Sequence, residues 1–429
     1  IYNERYVVVR LLEAVAALDY PRDQLTIQLL DDSDDDTTRV ATHAIARLRT
    51  RGLTVQHIRR EDRTGYKAGA LVAGMAASDT PYYAVFDADF IPPPDFLQRT
   101  MPHLLADATL GMVQGRWGHL NTDENALTAA QTLAIDTHFV IEQTARSRGG
   151  LLLNFNGTGG VWRADCIREA GGWRDNTLTE DFDLSYRAQL AGWRMKTLPD
   201  LVVPGELPPQ LAAFKQQQAR WARGSTQVLR LMLPRLWASP RLTFPQRLMG
   251  TLHLCQYMPY PILVALPVLS VVLLALGVLD DLSLGFMTFS GVVPPLMYAV
   301  SQVTTRPDWP KRLRALPALI LFGTGVAVSN TAAVIAGFTG TSGVFRRTPK
   351  FAGEWLNSDY SLGGGATAVV EWLLCGLTLW GAWLALDVLP IAAPYLLLSS
   401  LSYGTVAAWG LLDRWRLHVA RRDMAAVGD

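Results

Sequence analysis

The chain has 429 residues, 49% of them hydrophobic, which excludes a disordered protein and allows one soluble domain plus several membrane segments. Its 39 Lys and Arg residues balance 38 Asp and Glu residues, and the net charge of +1 excludes an overall basic, nucleic-acid-binding surface. The three cysteines lie far apart without CxxC spacing, which argues against a zinc site or a disulfide framework and fits a reducing compartment.

The first 200 residues alternate short β-rich runs with longer helical patterns. We predict strands over 25–30, 53–58, 82–86 and 112–114, and helices over 4–17, 37–51, 68–77 and 127–146. This βαβ rhythm predicts an α/β domain with a mainly parallel sheet flanked by helices. The chain opens at Ile1 without an initiator methionine, and we expect a truncated N-terminus, with earlier residues completing the first strand.

Two acidic motifs follow predicted strands directly. Asp31 and Asp32 come after the strand 25–30, and Asp87 and Asp89 come after the strand 82–86. Ligands of such sheets gather at the carboxyl ends of the strands, and two carboxylates one residue apart can hold Mg²⁺ together with substrate phosphates. Helix capping is the alternative for Asp87-x-Asp89, but its place at a strand end favours a ligand. Asp31-Asp32 by itself also fits a solvated turn.

A third acidic motif, Thr179-Glu180-Asp181, stands at a predicted helix start. Acidic residues near the positive end of a helix stabilise it by ~0.3–1 kcal/mol each, and Thr179 can cap that helix. Alternatively, Asp181 is a general base that takes a proton from an acceptor hydroxyl. The residues alone leave both interpretations open.

A basic aromatic motif, Gln217 to Trp221, lies in a helical stretch predicted over 212–233. Arg220 can bind a phosphate and Trp221 can offer an aromatic face to a sugar ring. The alternative is an amphipathic helix at a membrane surface, and one helix can serve both purposes.

Together these motifs resemble the processive, membrane-embedded family 2 glycosyltransferases, which include cellulose, chitin and hyaluronan synthases. The resemblance rests on Asp31-Asp32, Lys67-Ala68-Gly69, Asp87-x-Asp89, Thr179-Glu180-Asp181 and the QxxRW motif, in that order. The connecting stretches 154–163, 171–173 and 347–350 resemble most the cellulose synthase-like mannan and glucan synthases.

The resemblance implies a cytosolic A-type glycosyltransferase domain and a role for each matching residue. Asp181 would be the catalytic base with Glu180 beside it, and Trp221 would stack on the acceptor sugar. Asp87 and Asp89 would bind Mg²⁺ or Mn²⁺. The donor-binding residues would be Asp31 and Asp32 at the nucleobase, and Lys67, Asp87, Gln217 and Arg220 at the diphosphate.

The second half contains five apolar segments of the roughly 20 residues that a membrane span needs. They cover 255–279, 284–303, 315–338, 367–388 and 391–412. If all five crossed the membrane, Arg346, Arg347 and Lys350 would lie outside, against the positive-inside rule. We therefore predict four spans, with 315–338 as an interfacial or re-entrant helix. The predicted domains are 1–203 (catalytic), 204–250 (interfacial helices) and 251–429 (transmembrane).

The same topology puts the loop 345–350 on the cytosolic face. It resembles the FxVTxK gating loop of cellulose synthases, with Arg347 in place of the valine. Phe345, Thr348 and Lys350 are therefore predicted to close over the bound diphosphate. A basic juxtamembrane loop that meets anionic lipid is the alternative.

We expect an inverting, processive enzyme of the plasma (inner) membrane that polymerises a β-linked glucan or mannan and exports it through its own channel. The alternative within the enzyme class is single transfer to a lipid or polyprenyl phosphate. Outside it, the alternative is a transporter or scaffold with a degenerate nucleotide-binding domain. UDP-glucose is the favoured donor and GDP-mannose the other candidate. The growing polysaccharide and the lipid bilayer are expected partners, the resemblance allows accessory export proteins, and no nucleic acid is expected.

Overall fold

The computed structural model describes residues 1–278, 293–340 and 367–428. Its first half is an α/β domain built from six strands and eight α-helices. The strands are β1 (Thr26–Asp31), β2 (Thr54–Arg59), β3 (Tyr82–Val85), β4 (Leu110–His119), β5 (Gly160–Arg163) and β6 (Arg194–Gly205). The helices are α1 (Val8–Ala16), α2 (Thr37–Thr50), α3 (Tyr66–Ala76), α4 (Phe96–Ala106), α5 (Ala126–Thr137), α6 (Thr144–Arg148), α7 (Ala164–Glu169) and α8 (Glu180–Ala191).

The helices form where apolar side chains recur at helical spacing. In α2, Ala41, Ala44, Ile45 and Leu48 are buried at positions i, i+3, i+4 and i+7, and they pack on β1 and β2. Helix α5 begins at a capping box, in which Asn125 accepts from the backbone N–H of Thr128. All eight segments predicted over residues 4–146 are present as elements of the predicted type, with ends shifted by a few residues.

The strands form two sheets of mixed direction. β1 pairs in parallel with β2, and a second sheet has the order β3-β5-β4-β6. Within it, β4 and β6 are parallel, whereas β5 runs antiparallel to both β3 and β4. The prediction of a mainly parallel sheet therefore holds for β1, β2, β3, β4 and β6 within their sheets, and the four-residue β5 is the exception that makes the second sheet mixed.

Helices make up the described part of the second half. They are α9 (Leu211–Ala238), α10 (Phe244–Leu254), α11 (Pro259–Ala275), α12 (Val293–Thr305), α13 (Trp309–Leu313), α14 (Leu316–Gly325), α15 (Ala327–Thr339), α16 (Ala368–Val388) and α17 (Ala393–Gly428). α10 starts at a second capping box, between Thr243 and Gln246.

Two helices of the described ranges are long and apolar enough to cross a membrane: Ala368–Val388 and Pro390–Arg416. Two bent pairs pass the same test together. α10 and α11 meet at 63°, and the stretch Trp309–Gly325 meets α15 at 44°. The second pair coincides with the segment 315–338 that we predicted to be interfacial or re-entrant. Its break lies at Val326, between α14 and α15.

The long helix α9 joins the α/β domain to the C-terminal helices. Asp413 of α17 accepts a hydrogen bond from the backbone N–H of Leu211, at 2.9 Å, and so caps the first turn of α9. One turn later, Lys215 Nζ lies 2.5 Å from Oε1 of Glu371, a residue of α16 whose side chain is almost completely buried. These contacts fix the helix that carries the QxxRW motif against both candidate membrane helices.

Candidate active site

A cavity of about 790 Å³ opens where the two sheets separate. Its inner part is apolar and lies between β1 and β3, which are not hydrogen-bonded to each other in the described residues. Its polar part contains nine residues from the sequence motifs. They are Asp32, Lys67, Asp87, Asp89, Glu180, Asp181, Gln217, Arg220 and Trp221. The fold therefore brings the five motifs, which span 190 positions of the chain from Asp32 to Trp221, to one place.

Asp31 lies beneath this cavity rather than in its wall. It is 1% exposed, and its carboxylate accepts hydrogen bonds from the Ser33 backbone and the Thr38 hydroxyl, with His57 Nε2 at 2.9 Å. Burial raises the pKa of Asp31, but the bonds from Ser33, His57 and Thr38 outweigh it, so the pKa lies below its ordinary value. Asp31 thus organises the turn after β1.

Asp32 is the acid of this pair that lines the cavity. Arg60, just after β2, binds it with both ends of its guanidinium, at 2.9 Å from Nε to Oδ1 and 2.5 Å from Nη2 to Oδ2. Such bidentate pairing fixes the plane of a carboxylate. The Asp32 contact raises the pKa of Arg60 further, so Arg60 stays positively charged. Arg60 was not predicted as a site residue, although it directly follows β2 as Asp32 follows β1, which places both at the same edge of one sheet.

Lys67 lies between the acidic motifs. Its Nζ is 2.5 Å from Asp87 Oδ1 and 3.9 Å from Glu180 Oε1, and it donates to the carbonyl of Gly157 at 2.8 Å. Burial lowers the pKa of Lys67, but the charges of Asp87 and Glu180 outweigh it and raise the pKa above its ordinary value. The fixed ammonium is suited to an anionic ligand that enters beside Asp87.

A divalent cation fits the donor set of Asp87 and Asp89. Asp87 is partly exposed at the end of β3, and its backbone N–H is held by the Thr158 hydroxyl at 2.9 Å, while Asp89 is 7% exposed. No group of three or more His, Cys, Asp or Glu side chains in the described ranges could hold a metal alone. Mg²⁺ is typically held by one or two carboxylates plus substrate phosphates, and the cavity supplies the two carboxylates.

Asp181 begins helix α8 at the cavity wall. Burial and the charge of adjacent Glu180 raise the pKa of Asp181 to about 7, against the opposing charges of Lys67 and Arg220. A carboxylate with a pKa near neutral is suited to accept a proton at physiological pH. Glu180 stays beside it, with 12% of its side chain exposed.

A glycine permits the close approach of Lys67 and Asp181. Gly157 has φ +86°, and a Cβ on it would lie 3.0 Å from Asp181 Oδ2 and 3.4 Å from Lys67 Nζ. Any side chain here would enter the space between the base and the lysine, in a backbone conformation that favours glycine. The stretch 154–163, which the sequence analysis used only for the family resemblance, therefore contributes Asn156 and Gly157 to the cavity wall.

Helix α9 presents Gln217, Arg220 and Trp221 to the same cavity. It packs against the start of α8 through Gly224, where a Cβ would lie 2.6 Å from Thr179 Cγ2 and 2.9 Å from the Thr179 backbone nitrogen. The Thr179 hydroxyl makes no capping bond to α8. Instead, Gln227 of α9 accepts from the backbone N–H of Leu178, at 2.9 Å. The start of the helix that carries Asp181 and the helix that carries the QxxRW motif are thus in direct contact.

Three predicted residues remain outside this description. Phe345, Thr348 and Lys350 of the proposed gating loop fall in 341–366, beyond the described residues.

Comparison with known proteins places this geometry in a family. The family model described as "Glycosyltransferase like family 2" matches residues 1–224, which include every predicted site residue outside the gating loop. Among solved structures, the mannosyltransferase PcManGT from Pyrobaculum calidifontis, in complex with GDP-Man and Mn²⁺, shares the fold. Its TM-score is 0.55 at 19% identity, over 78% of this chain and 85% of that one.

Curated relatives are similar in sequence over more than half of the chain. Glucomannan 4-beta-mannosyltransferase 2 of Arabidopsis thaliana is 41% identical over 247 residues, which is 57% of this chain and 46% of that protein. Glucomannan 4-beta-mannosyltransferase 1 of Oryza sativa subsp. japonica is 42% identical over 246 residues, with coverages of 56% and 47%. The chain thus spans about half the length of these relatives.

Proposed function

Because this chain belongs to the glycosyltransferase-like family 2, we propose that it is an inverting, processive β-mannan synthase that uses GDP-mannose. The observation that carries this proposal is the single cavity in which an acid of near-neutral pKa, Asp181, faces Lys67 and the Asp87-x-Asp89 pair. These are the groups that a glycosyl transfer from a nucleotide sugar needs: a base for the acceptor and charges for the departing diphosphate.

The choice of donor follows the curated relatives. Their names make them mannosyltransferases, and they give no support to the preference for UDP-glucose in the sequence analysis. We therefore propose GDP-mannose, with Asp32 and Arg60 facing the nucleobase. The donor diphosphate lies against Lys67 and Arg220. Asp87 and Asp89 would hold Mg²⁺ or Mn²⁺, which would supply positive charge to the departing diphosphate.

The reaction at the acceptor is assigned to Asp181. Its carboxylate takes the proton of an acceptor hydroxyl as that oxygen attacks the anomeric carbon, and the nucleoside diphosphate leaves on the opposite face, which inverts the configuration. Glu180 flanks this acceptor position, and Trp221 offers its ring to the acceptor sugar.

The membrane part of the proposal is a multi-pass protein with a cytosolic catalytic domain in the plasma (inner) membrane. Two candidate spans and two bent helix pairs support it. We keep the domain limits 1–203, 204–250 and 251–429, the four spans with an interfacial or re-entrant 315–338, and the gating loop at 345–350. Export of the polymer through these helices is part of the same proposal.

Labelled donors test the function directly. Membranes that contain the protein are incubated with radiolabelled GDP-mannose or UDP-glucose, and the product is digested with β-1,4-mannanase or cellulase. We expect an alcohol-insoluble polymer from GDP-mannose that mannanase degrades, and none from the Asp181→Asn variant. Label in a lipid extract instead would support single transfer to a lipid phosphate, and no incorporation from either donor would overturn the synthase.

A further inference from the structure

The helix that runs below the cavity contains one turn of π-helix, His138–Gln143, between α5 and α6. Such turns widen the helix by one residue and occur often at functional sites. Here the wide turn brings His138 and Gln143 together, with 3.3 Å between His138 Nε2 and Gln143 Nε2. Both side chains point at Asn156, the cavity-lining residue just before Gly157.

Asn156 is held from two sides. Its Nδ2 lies 3.1 Å from His138 Nε2, and its Oδ1 accepts from Gln143 Nε2 at 2.9 Å. Its backbone N–H donates to Gln114 Oε1 at 3.1 Å, which fixes the main chain at the same point. Since an amide has two hydrogens and an oxygen with two lone pairs, one hydrogen and one lone pair of Asn156 remain for a ligand in the cavity.

Glu142 determines which way the histidine faces. Its Oε2 is 2.9 Å from His138 Nδ1, and its Oε1 accepts from Arg146 Nε at 3.0 Å. Burial raises the pKa of Glu142, but the contacts with His138 and Arg146 outweigh it and hold the pKa below its ordinary value. An ionised Glu142 only accepts and an amide nitrogen only donates, so Nδ1 of His138 carries a hydrogen and its Nε2 accepts from Asn156.

We propose that His138 is a positioning residue, which orients the Asn156 amide toward a hydroxyl of the acceptor sugar beside Asp181. Asn156 lines the cavity, and the next residue, Gly157, accepts from Lys67 and has Asp181 Oδ2 3.0 Å from the place of a Cβ, so the amide lies beside the space proposed for the transfer. The inference rests on the proposed function for the identity of the ligand. The chain of contacts from Glu142 through His138 to Asn156 stands on the structure alone.

A double-mutant cycle tests whether His138 acts through Asn156. His138→Phe removes both ring nitrogens at similar volume. We expect it to lower kcat/KM for a manno-oligosaccharide acceptor by about tenfold or more, because a small misplacement of a contacting group is costly. The Asn156→Ala background should then conceal the effect, so that the double variant is no worse than Asn156→Ala alone. Losses that multiply independently would overturn the proposal.

Two further variants guard against trivial explanations. Glu142→Gln keeps the side-chain shape but no longer requires a hydrogen on His138 Nδ1, so it should lower kcat/KM for the acceptor in the same way. It replaces His138→Phe in the test if that variant fails to fold. His43→Phe makes the same exchange at an exposed histidine of α2 and should leave the rate unchanged.

The tautomer is a readout that needs no activity. In the full chain labelled with ¹⁵N-histidine, the imidazole signal that disappears in His138→Phe should show a protonated Nδ1 and an unprotonated Nε2. A protonated Nε2 would overturn the positioning role. If the wild-type protein transfers no sugar from any donor, the proposed function fails, whereas the tautomer still decides the orientation of Asn156.

Discussion

At the scale of single residues, the cavity places Lys67 between acidic side chains that shift one another's pKa. Lys67 is attracted to the partly exposed Asp87 on one side and to the more buried Glu180 on the other, and water screens the interaction with Glu180 less. Asp181 adjoins Glu180, so protonation of Asp181 relieves the repulsion between two carboxylates. The same group of charges to which we assign the anionic donor therefore holds the pKa of Asp181 near 7.

The first prediction concerns pH. Asp181 acts as a base only when ionised, and its pKa is about 7, so kcat/KM should rise as pH increases through that value. Asp181→Asn should lower the rate by ~10²–10⁴-fold and abolish this rise. Initial rates of transfer over a pH series measure both effects.

Asp165→Asn is the matched control, because this acid lies exposed on α7. It should keep the wild-type profile. A rate that falls as pH increases through 7 would contradict the assignment of Asp181 as base.

The second prediction concerns the metal. Chelation by EDTA should abolish transfer, and Mn²⁺ or Mg²⁺ should restore it. Asp89→Asn should raise the metal concentration needed for half-maximal rate by about 10- to 100-fold, since one of the two candidate ligands loses its charge. Asp95→Asn, an exposed acid at the start of α4, should behave as wild type. Full activity in EDTA would refute a metal-dependent reaction.

At the scale of secondary structure elements, glycines set how closely helices approach. The contact of Gly224 with Thr179 brings α9 against the first turn of α8, and Gly337 of α15 meets α9 in the same way, 2.6 Å from Thr226 Cβ for a Cβ placed there. Arg230 of α9 donates to the Gly337 carbonyl at 3.1 Å. The three helices therefore form a stack without room for side chains at these crossings.

The third prediction tests this stack. Gly224→Ala should push α9 away from Thr179, at a cost of about 1–3 kcal/mol in stability. Because Asp181 follows Thr179 by two residues, transfer should slow by on the order of 100-fold. Gly376→Ala is the matched control, since a Cβ at this position of α16 meets nothing within 4 Å. Thermal unfolding and transfer rates measure the two effects, and a wild-type rate in a folded Gly224→Ala protein would be the contrary result.

What the sequence predicted well depended on local pattern. The acidic motifs after 25–30 and 82–86 were placed correctly because apolar runs followed by Asp mark strand ends, and the structure puts Asp32 and Asp87 in one cavity. The π-helical turn at His138–Gln143 was read as ordinary helix, since it depends on polar partners such as Asn156 that are distant in sequence. Strands β5 and β6 were not predicted, because β5 begins with a glycine and β6 contains Pro199, Asp200 and Pro204, residue types that are depleted in strands.

At the scale of the whole molecule, buried charges hold the two halves together. Asp136 of α5 is fully buried and lies 3.0 Å from Arg116 of β4 and 3.5 Å from Arg306, which follows α12. Loss of one member of such a group typically costs about 3–5 kcal/mol, because the remaining charge stays buried without a partner. These ion pairs therefore hold the α/β domain in a fixed position against the C-terminal helices.

The fourth prediction concerns topology. In a variant without Cys166, Cys255 and Cys375, a cysteine at position 340 should resist membrane-impermeant maleimide added to intact cells, because four spans put that position inside. Ser283→Cys, in the short loop between the predicted spans 255–279 and 284–303, lies outside in this topology and should react. Labelling of position 340 from outside would rule out this topology.

At the glycine crossings, α15, α9 and the start of α8 lie so close together that a movement of one helix displaces the next. A change of bilayer thickness that tilts α15 should be transmitted to the start of α8, since Gly337 of α15 packs directly on Thr226 of α9, and Gly224 of α9 packs directly on Thr179. The lipid composition of the membrane should therefore act as an allosteric effector of sugar transfer. We expect its rate in reconstituted vesicles to depend on acyl-chain length as well as on substrate.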